Sequence, residues 1–239
     1  MAAPTLKRLT LELGGNDPAI VLPDANPSEV APGIFWGSFI NCGQTCGAIK
    51  RLYVHDDIYE EMCTALVNFG KTVTVGNGLD EGTMMGPLQN EAQYKKVNDL
   101  IDDARRTGAR ILTGDESIDG PGYFIPVTLV ADIEDGVALV DQEQFGPALP
   151  IIRYSSVDEA VAAANNTEFG LDASVWTADA EIGKAIAKRL HAGTVWVNKH
   201  ADIAPHVPMG GLKCSGMGVE FGEEGLAAYT EIKIISTPP

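Results

Sequence analysis

Pro18-Ala19-Ile20-Val21-Leu22, followed closely by Asn26-Pro27-Ser28-Glu29, decides the fold class. The first stretch is a short, continuous apolar run, which suits a strand buried on both faces. The second is a helix start, with a capping residue, a proline in the first turn and an acidic residue behind it. A strand that feeds directly into a helix is the repeating unit of a parallel sheet. Outward from this pair the unit recurs. Arg51–His55 reads as a strand, and Asp57–Lys71 sets Ile58, Met62, Leu66 and Phe69 at helical spacing. Glu91–Thr107 is a second amphipathic helix, closed by Gly108. Strand-like Ile111-Leu112, Val127–Val130 and Leu149–Arg153 lead to helix Val157–Asn165, strand Ala173–Trp176, helix Ala180–His191 and strand Thr194–Asn198. Upstream, Leu6–Leu13 reads as a strand stopped by Gly14-Gly15, and the helix that starts at Asn26 is expected to break near Gly43. The alternating tail, Thr230–Ile235, reads as a final strand. The expectation is an α/β domain with a largely parallel sheet covered by helices.

Composition narrows the function classes. A chain of 239 residues suits one large domain, or one domain with pieces of a second. Its net charge of −16 repels nucleic acid and anionic membranes, so neither is expected as a partner. No apolar run approaches the ~20 residues that a helical membrane span requires. The segment Met1–Arg8 has no apolar core and does not read as a secretory signal. Four cysteines (Cys42, Cys46, Cys63, Cys214) are too sparse for a disulfide framework, so reduced thiols and a cytoplasmic location are expected.

Three stretches, far apart in the chain, carry chemistry. They are Leu11-Glu12-Leu13-Gly14-Gly15-Asn16-Asp17-Pro18, Phe39-Ile40-Asn41-Cys42-Gly43-Gln44-Thr45-Cys46, and Glu143-Gln144-Phe145-Gly146-Pro147. With these stretches the chain resembles the aldehyde dehydrogenase family over almost its whole length. The stretches Thr194–Asn198 and Gly210–Gly218 match as well, and the interval from Glu12 to Cys46 is the one the family pattern leads one to expect.

The resemblance implies a division of labour. Cys46 looks like the nucleophile, because a thiolate attacks a carbonyl well near neutral pH. Hydride transfer to a nicotinamide would leave a thioester on Cys46, which a water must hydrolyse. Glu12 looks like the general base for that water, since a carboxylate in a partly desolvated site can titrate near neutrality. Glu143 looks like the residue that holds the nicotinamide ribose, and Phe145 like the one beside the nicotinamide ring. The Cys46 backbone N–H would be one oxyanion donor. Asn41 and Asn198 resemble structural or site-lining asparagines.

The fold implied is the three-layer αβα catalytic domain of this family, with most of the Rossmann-like cofactor domain absent. The corresponding divisions are residues 1–15 as the end of the cofactor-binding domain, 16–220 as the catalytic domain, and 221–239 as a tail whose strand makes subunit contacts. Family members are about twice this length. NAD or NADP would therefore be bound largely by residues outside this chain, which alone is expected to have little activity. The full-length enzyme is expected to oxidise an aldehyde to an acid as a homodimer or homotetramer. The other reading is a non-catalytic interaction or assembly module that retains the fold.

Several competing signals are weaker. Cys42 and Cys46 are spaced to share a helical face, but no further ligands stand at suitable spacing for a metal. Cys63 and Cys214 read as inert; His200 and His206 lie in a region that, by the resemblance, borders the aldehyde entrance, and they read as exposed loop residues in preference to substrate contacts. Val75–Gly82 imitates a dinucleotide loop, but Thr83–Pro87 does not open a helix, so a surface loop is the better reading. No Gly-x-Ser-x-Gly elbow supports a serine hydrolase. Two residues depart from the family pattern: Val219, followed by Glu220, stands where a basic residue is usual, and Ile40 stands where some relatives have an aromatic.

Overall fold

The computed structural model describes residues 2–116, 118 and 120–239. In chain order the elements are β1 (Leu11–Glu12), β2 (Asp17–Val21), α1 (Pro27–Phe39), β3 (Ile49–His55), α2 (Tyr59–Gly70), α3 (Glu91–Arg106), β4 (Arg110–Thr113), β5 (Thr128–Ala131) and α4 (Ala138–Asp141). Then follow β6 (Ala148–Tyr154), α5 (Val157–Asn165), β7 (Phe169–Gly170), β8 (Asp172–Trp176), α6 (Ala180–Ala187), β9 (Thr194–Val197), β10 (Leu212–Lys213), β11 (Gly216–Met217) and α7 (Gly222–Ala227).

The strand–helix unit that opens the chain forms as its residues dictate. All of β2 is buried, as a central strand covered on both faces must be. Asn26 caps α1, its side chain accepting from the Ser28 N–H at 3.1 Å, with Pro27 in the first turn. Asn26→Ala is expected to cost about 1 kcal/mol, read as a lowered urea midpoint. The helix ends at Phe39, earlier than expected, because Asn41 and Cys42 take left-handed backbone angles that no helix continues. Cys42 and Cys46 therefore share no helical face.

The main sheet has the order β4-β5-β6-β3-β2-β8-β9, and every neighbouring pair is parallel except β4–β5. The path from β2 to β3 runs one way across the sheet, whereas β6 to β8 and β8 to β9 run the other. Right-handed crossovers then place α1 and α2 on one face and α5 and α6 on the opposite one. This is the expected three-layer α/β arrangement. The core lies on both faces of the four central strands, with Ile20, Leu52, Val54, Ile151 and Val175 fully buried. No described helix is long and apolar enough to cross a membrane.

Two of the strand expectations need correction. Of Leu6–Leu13 only Leu11–Glu12 forms a strand, because β11 is the one partner it finds, through Leu11↔Met217 and Glu12↔Gly216. Residues 6–9 are exposed and unpaired in a ladder. The tail 230–239 forms no strand and pairs with none of the described strands. Its Ile232, Ile234 and Ile235 are 91%, 86% and 79% exposed, and Arg8 tethers its start through the Thr230 carbonyl and Glu231.

Candidate active site

The three chemical stretches converge because they occupy equivalent places. Glu12–Gly15 precedes β2, Cys46 precedes β3, and Glu143–Phe145 precedes β6. In a parallel sheet the starts of adjacent strands share one edge, and β6, β3, β2 and β8 are consecutive neighbours. The site is thus built at the amino ends of the strands, whereas open α/β sheets commonly bind ligands at the carboxyl ends.

Lys50, at the head of β3, joins the stretches. Its side chain is 2% exposed, and its ammonium donates to the carbonyls of Gly15 (3.0 Å), Thr45 (2.9 Å) and Cys46 (2.7 Å) and to Glu143 Oε1 (3.1 Å). Glu143 Oε1 also accepts from the Gly15 N–H at 3.0 Å. A Cβ on Gly14 would lie 2.6 Å from Glu143 Oε2, so a side chain there would push the carboxylate aside. Gln93 donates to the carbonyls of Gln144 and Phe145, at 2.7 and 3.0 Å, and so fixes the loop that presents Phe145. The Lys50 ammonium lies 5.6 Å from the centre of the Phe145 ring.

Cys46 is half-buried. Burial pushes its thiol above the ordinary range, the Gly47 N–H and the Lys50 charge act the other way, and Asp17 and Asp172 add to the rise. Cys42 and Cys63 are buried more deeply and pushed up to about 12, which makes both inert. Cys214, also expected to be inert, is exposed on the segment between β10 and β11 and is open to reagents.

Glu12 is also pushed up, first by burial and then by the Glu220 charge, against an opposing hydrogen bond from the Gly211 backbone. Its Oε1 is buried without a partner. Among the described residues no hydrogen bond joins Glu12 to Cys46. The connection runs through Gly15, where a Cβ would lie 2.6 Å from the Cys46 carbonyl oxygen.

Residues that sequence reasoning passed over lie beneath Cys46. Asp17 and Asp172 head the neighbouring strands β2 and β8, each 1% exposed. Asp17 Oδ1 accepts from the Asp172 N–H at 3.1 Å, while Asp17 Oδ2 and both Asp172 carboxylate oxygens have no partner. Burial, reinforced by their mutual repulsion, pushes Asp17 well above the carboxylate range; burial likewise raises Asp172 to about 7. A Cβ at Gly47 would collide with Asp172 Oδ2.

His200 corrects another expectation. Parallel pairing of β8 and β9 carries it under the Cys46 loop, and its side chain is fully buried. The Gly47 carbonyl, 3.0 Å from Nε2, can only accept, so Nε2 carries the proton and Nδ1 accepts from the Ser174 hydroxyl at 3.1 Å. Burial lowers its pKa to about 4, so it is neutral at physiological pH. His206 is exposed, as expected. Asn198 acts structurally, exchanging hydrogen bonds with the Thr177 backbone at 2.9 and 2.8 Å. Asn41 is exposed and bonds the Gln44 carbonyl at 3.0 Å. The available signal for the missed residues was charge where a buried strand should have none: Lys50 and Arg51 inside β3, and the aspartates at the heads of β2 and β8.

The sequence profile of the aldehyde dehydrogenase family matches residues 1–235. The chain belongs to the aldehyde dehydrogenase family. It is 40% identical over 231 residues to human mitochondrial aldehyde dehydrogenase, which covers 97% of this chain and 45% of that enzyme. The NAD+ complex of an aldehyde dehydrogenase from Bacillus cereus superposes with a TM-score of 0.92 at 39% identity, covering 97% of this chain and 47% of the other. An aldehyde dehydrogenase variant from Pseudomonas syringae, complexed with NAD+ and octanal, gives 0.90 at 37% identity over 96% and 48%. The chain spans about half the length of these relatives.

Proposed function

We propose that this chain is the catalytic portion of an NAD(P)-dependent aldehyde dehydrogenase that hydrolyses its thioester, with Cys46 as nucleophile and Glu12 as base. The observation that carries the proposal is the single tie through which Lys50 and Gly15 link the Cys46 main chain to Glu143.

The chain's own residues would act in sequence. The Cys46 thiol gives its proton to solvent and its sulfur bonds to the aldehyde carbon as the carbonyl π pair moves to oxygen, giving a thiohemiacetal anion. The Cys46 backbone N–H would steady the oxygen that takes up the charge. The chemistry that a nicotinamide cofactor would supply when bound is that of a hydride acceptor for this carbon. Glu143 and Phe145 would hold the cofactor, and the residues fit: one Glu143 oxygen is anchored, Gly14 leaves room at the other, and the Phe145 ring stands beside them. The acyl group then remains on Cys46 as a thioester. Glu12 would take a proton from the attacking water, and its raised pKa suits a base working near neutral pH. In the whole protein the exposed isoleucines of the tail would serve subunit contacts.

An activated ester tests the reading in this chain without a cofactor. p-Nitrophenyl acetate delivers the acyl group to the thiolate directly, p-nitrophenolate leaves, and water completes the cycle. Glu12→Gln is expected to slow deacylation about a hundredfold, while acetyl-Cys46 accumulates and is detected by mass spectrometry. Unchanged turnover would remove Glu12 from its role. The second reading, a non-catalytic module, draws on the raised Cys46 thiol; absence of any acyl-Cys46 would favour it.

A further inference from the structure

We propose that Lys50 is the positioning residue of this site: its buried ammonium ties the Gly15 and Cys46 main chains to the Glu143 carboxylate and supplies the positive charge that acts on the Cys46 thiol. The inference rests on the nucleophile reading of Cys46. An ammonium has three protons, and four acceptors lie within 3.1 Å of this one, so none of its donors is spare. Three acceptors are neutral carbonyls and the fourth is a carboxylate, a set that matches a cation and nothing neutral. The partners come from segments separate in sequence, and no other side chain in the described site bonds to all three. Gly15 and Cys46 must stay in close register for Glu12 and the thiol to serve one substrate, and Lys50 sets that register.

The electrostatic surroundings of Cys46 are few. Lys50 favours the thiolate, Asp17 and Asp172 oppose it, and the Gly47 N–H supports it. His200, packed against Gly47 and Asp17, is neutral. Glu143 is not among the charges that act directly on the thiol; it reaches Cys46 through Lys50, whose charge it partly neutralises.

The test is alkylation of the chain with iodoacetamide from about pH 6 to about pH 11, read at each cysteine by peptide mass spectrometry. Lys50→Gln keeps a hydrogen-bond donor and removes the charge. The Cys46 midpoint is expected to rise by about one unit. Below both midpoints the rate falls about threefold to fivefold, because a more basic thiolate is also more nucleophilic. Exposed Cys214 serves as the internal control for reagent access. Lys50→Arg, which keeps the charge, returns the Cys46 midpoint toward wild type. Glu143→Gln, at a partly exposed position, leaves the ammonium uncompensated and lowers the midpoint, and it decides the matter if Lys50→Gln does not fold. An unchanged midpoint in Lys50→Gln, or in Glu143→Gln, overturns the charge role. Should wild-type Cys46 fail to react at any pH while Cys214 does, the nucleophile reading falls and this inference with it.

Discussion

Cys46→Ala is expected to abolish the acyl-enzyme in this chain and to reduce aldehyde oxidation by the whole protein by at least about a thousandfold. The loss is complete because no other thiol can substitute. Cys42 and Cys63 are buried with thiols pushed up to about 12. Cys214 is exposed on the segment between β10 and β11 and takes no part in the ties among Lys50, Glu143 and the Cys46 main chain. The variant loses only a small half-buried sulfur, so it folds, which thermal melting verifies. Acetyl incorporation from p-nitrophenyl acetate, located by mass spectrometry, is the direct measurement. Label found undiminished in the alanine variant would show that the nucleophile lies elsewhere.

Asp172→Asn is expected to stabilise the chain by up to about 4 kcal/mol at pH 8, and by about 1 to 2 kcal/mol at pH 5. Asp172 stays protonated in the folded state up to about pH 7, because burial raises it by more than the nearby Thr194 hydroxyl and the Lys50 charge lower it. Unfolded, it ionises near pH 4. Between about pH 4 and pH 7 the folded state binds a proton that the unfolded state has lost, so stability falls as pH rises through that window. Asparagine has the same shape and no proton to lose, and it also relieves the repulsion that helps to raise Asp17. His200 contributes in the opposite sense. Neutral when folded down to about pH 4, it destabilises as pH falls below about 6.5, where the unfolded imidazole takes up its proton. Urea unfolding at the two pH values measures both slopes. A gain at pH 8 no larger than that at pH 5 would refute the raised Asp172.

The sheet was legible residue by residue. Strand and helix patterns placed β3, α2, α3 and α5 to within two residues, since burial on two faces or one stripe leaves its period in the chain. Reading failed where an element depends on a partner. Leu6–Leu13 has the alternation of a strand, yet only the two residues opposite β11 become one. The tail has the same alternation, yet it pairs with none of the described strands. His200 looked like a loop residue because its burial is imposed by Gly47 and Ser174, distant in sequence.

By itself the sequence determined the α/β class and the family, and it singled out Cys46, Glu12, Glu143 and Phe145 as candidates, because local periodicity and short motifs are written in adjacent residues. Only the tertiary structure decided that these residues share the amino edge of adjacent strands. It alone showed that Lys50 ties the Cys46 main chain to Glu143, and that two buried aspartates with unpartnered carboxylate oxygens lie beneath Cys46. The physical reason is that hydrogen bonding and desolvation depend on distance in space. Residues 15, 46, 50, 143 and 172 acquire their charges and partners only once the parallel sheet has closed.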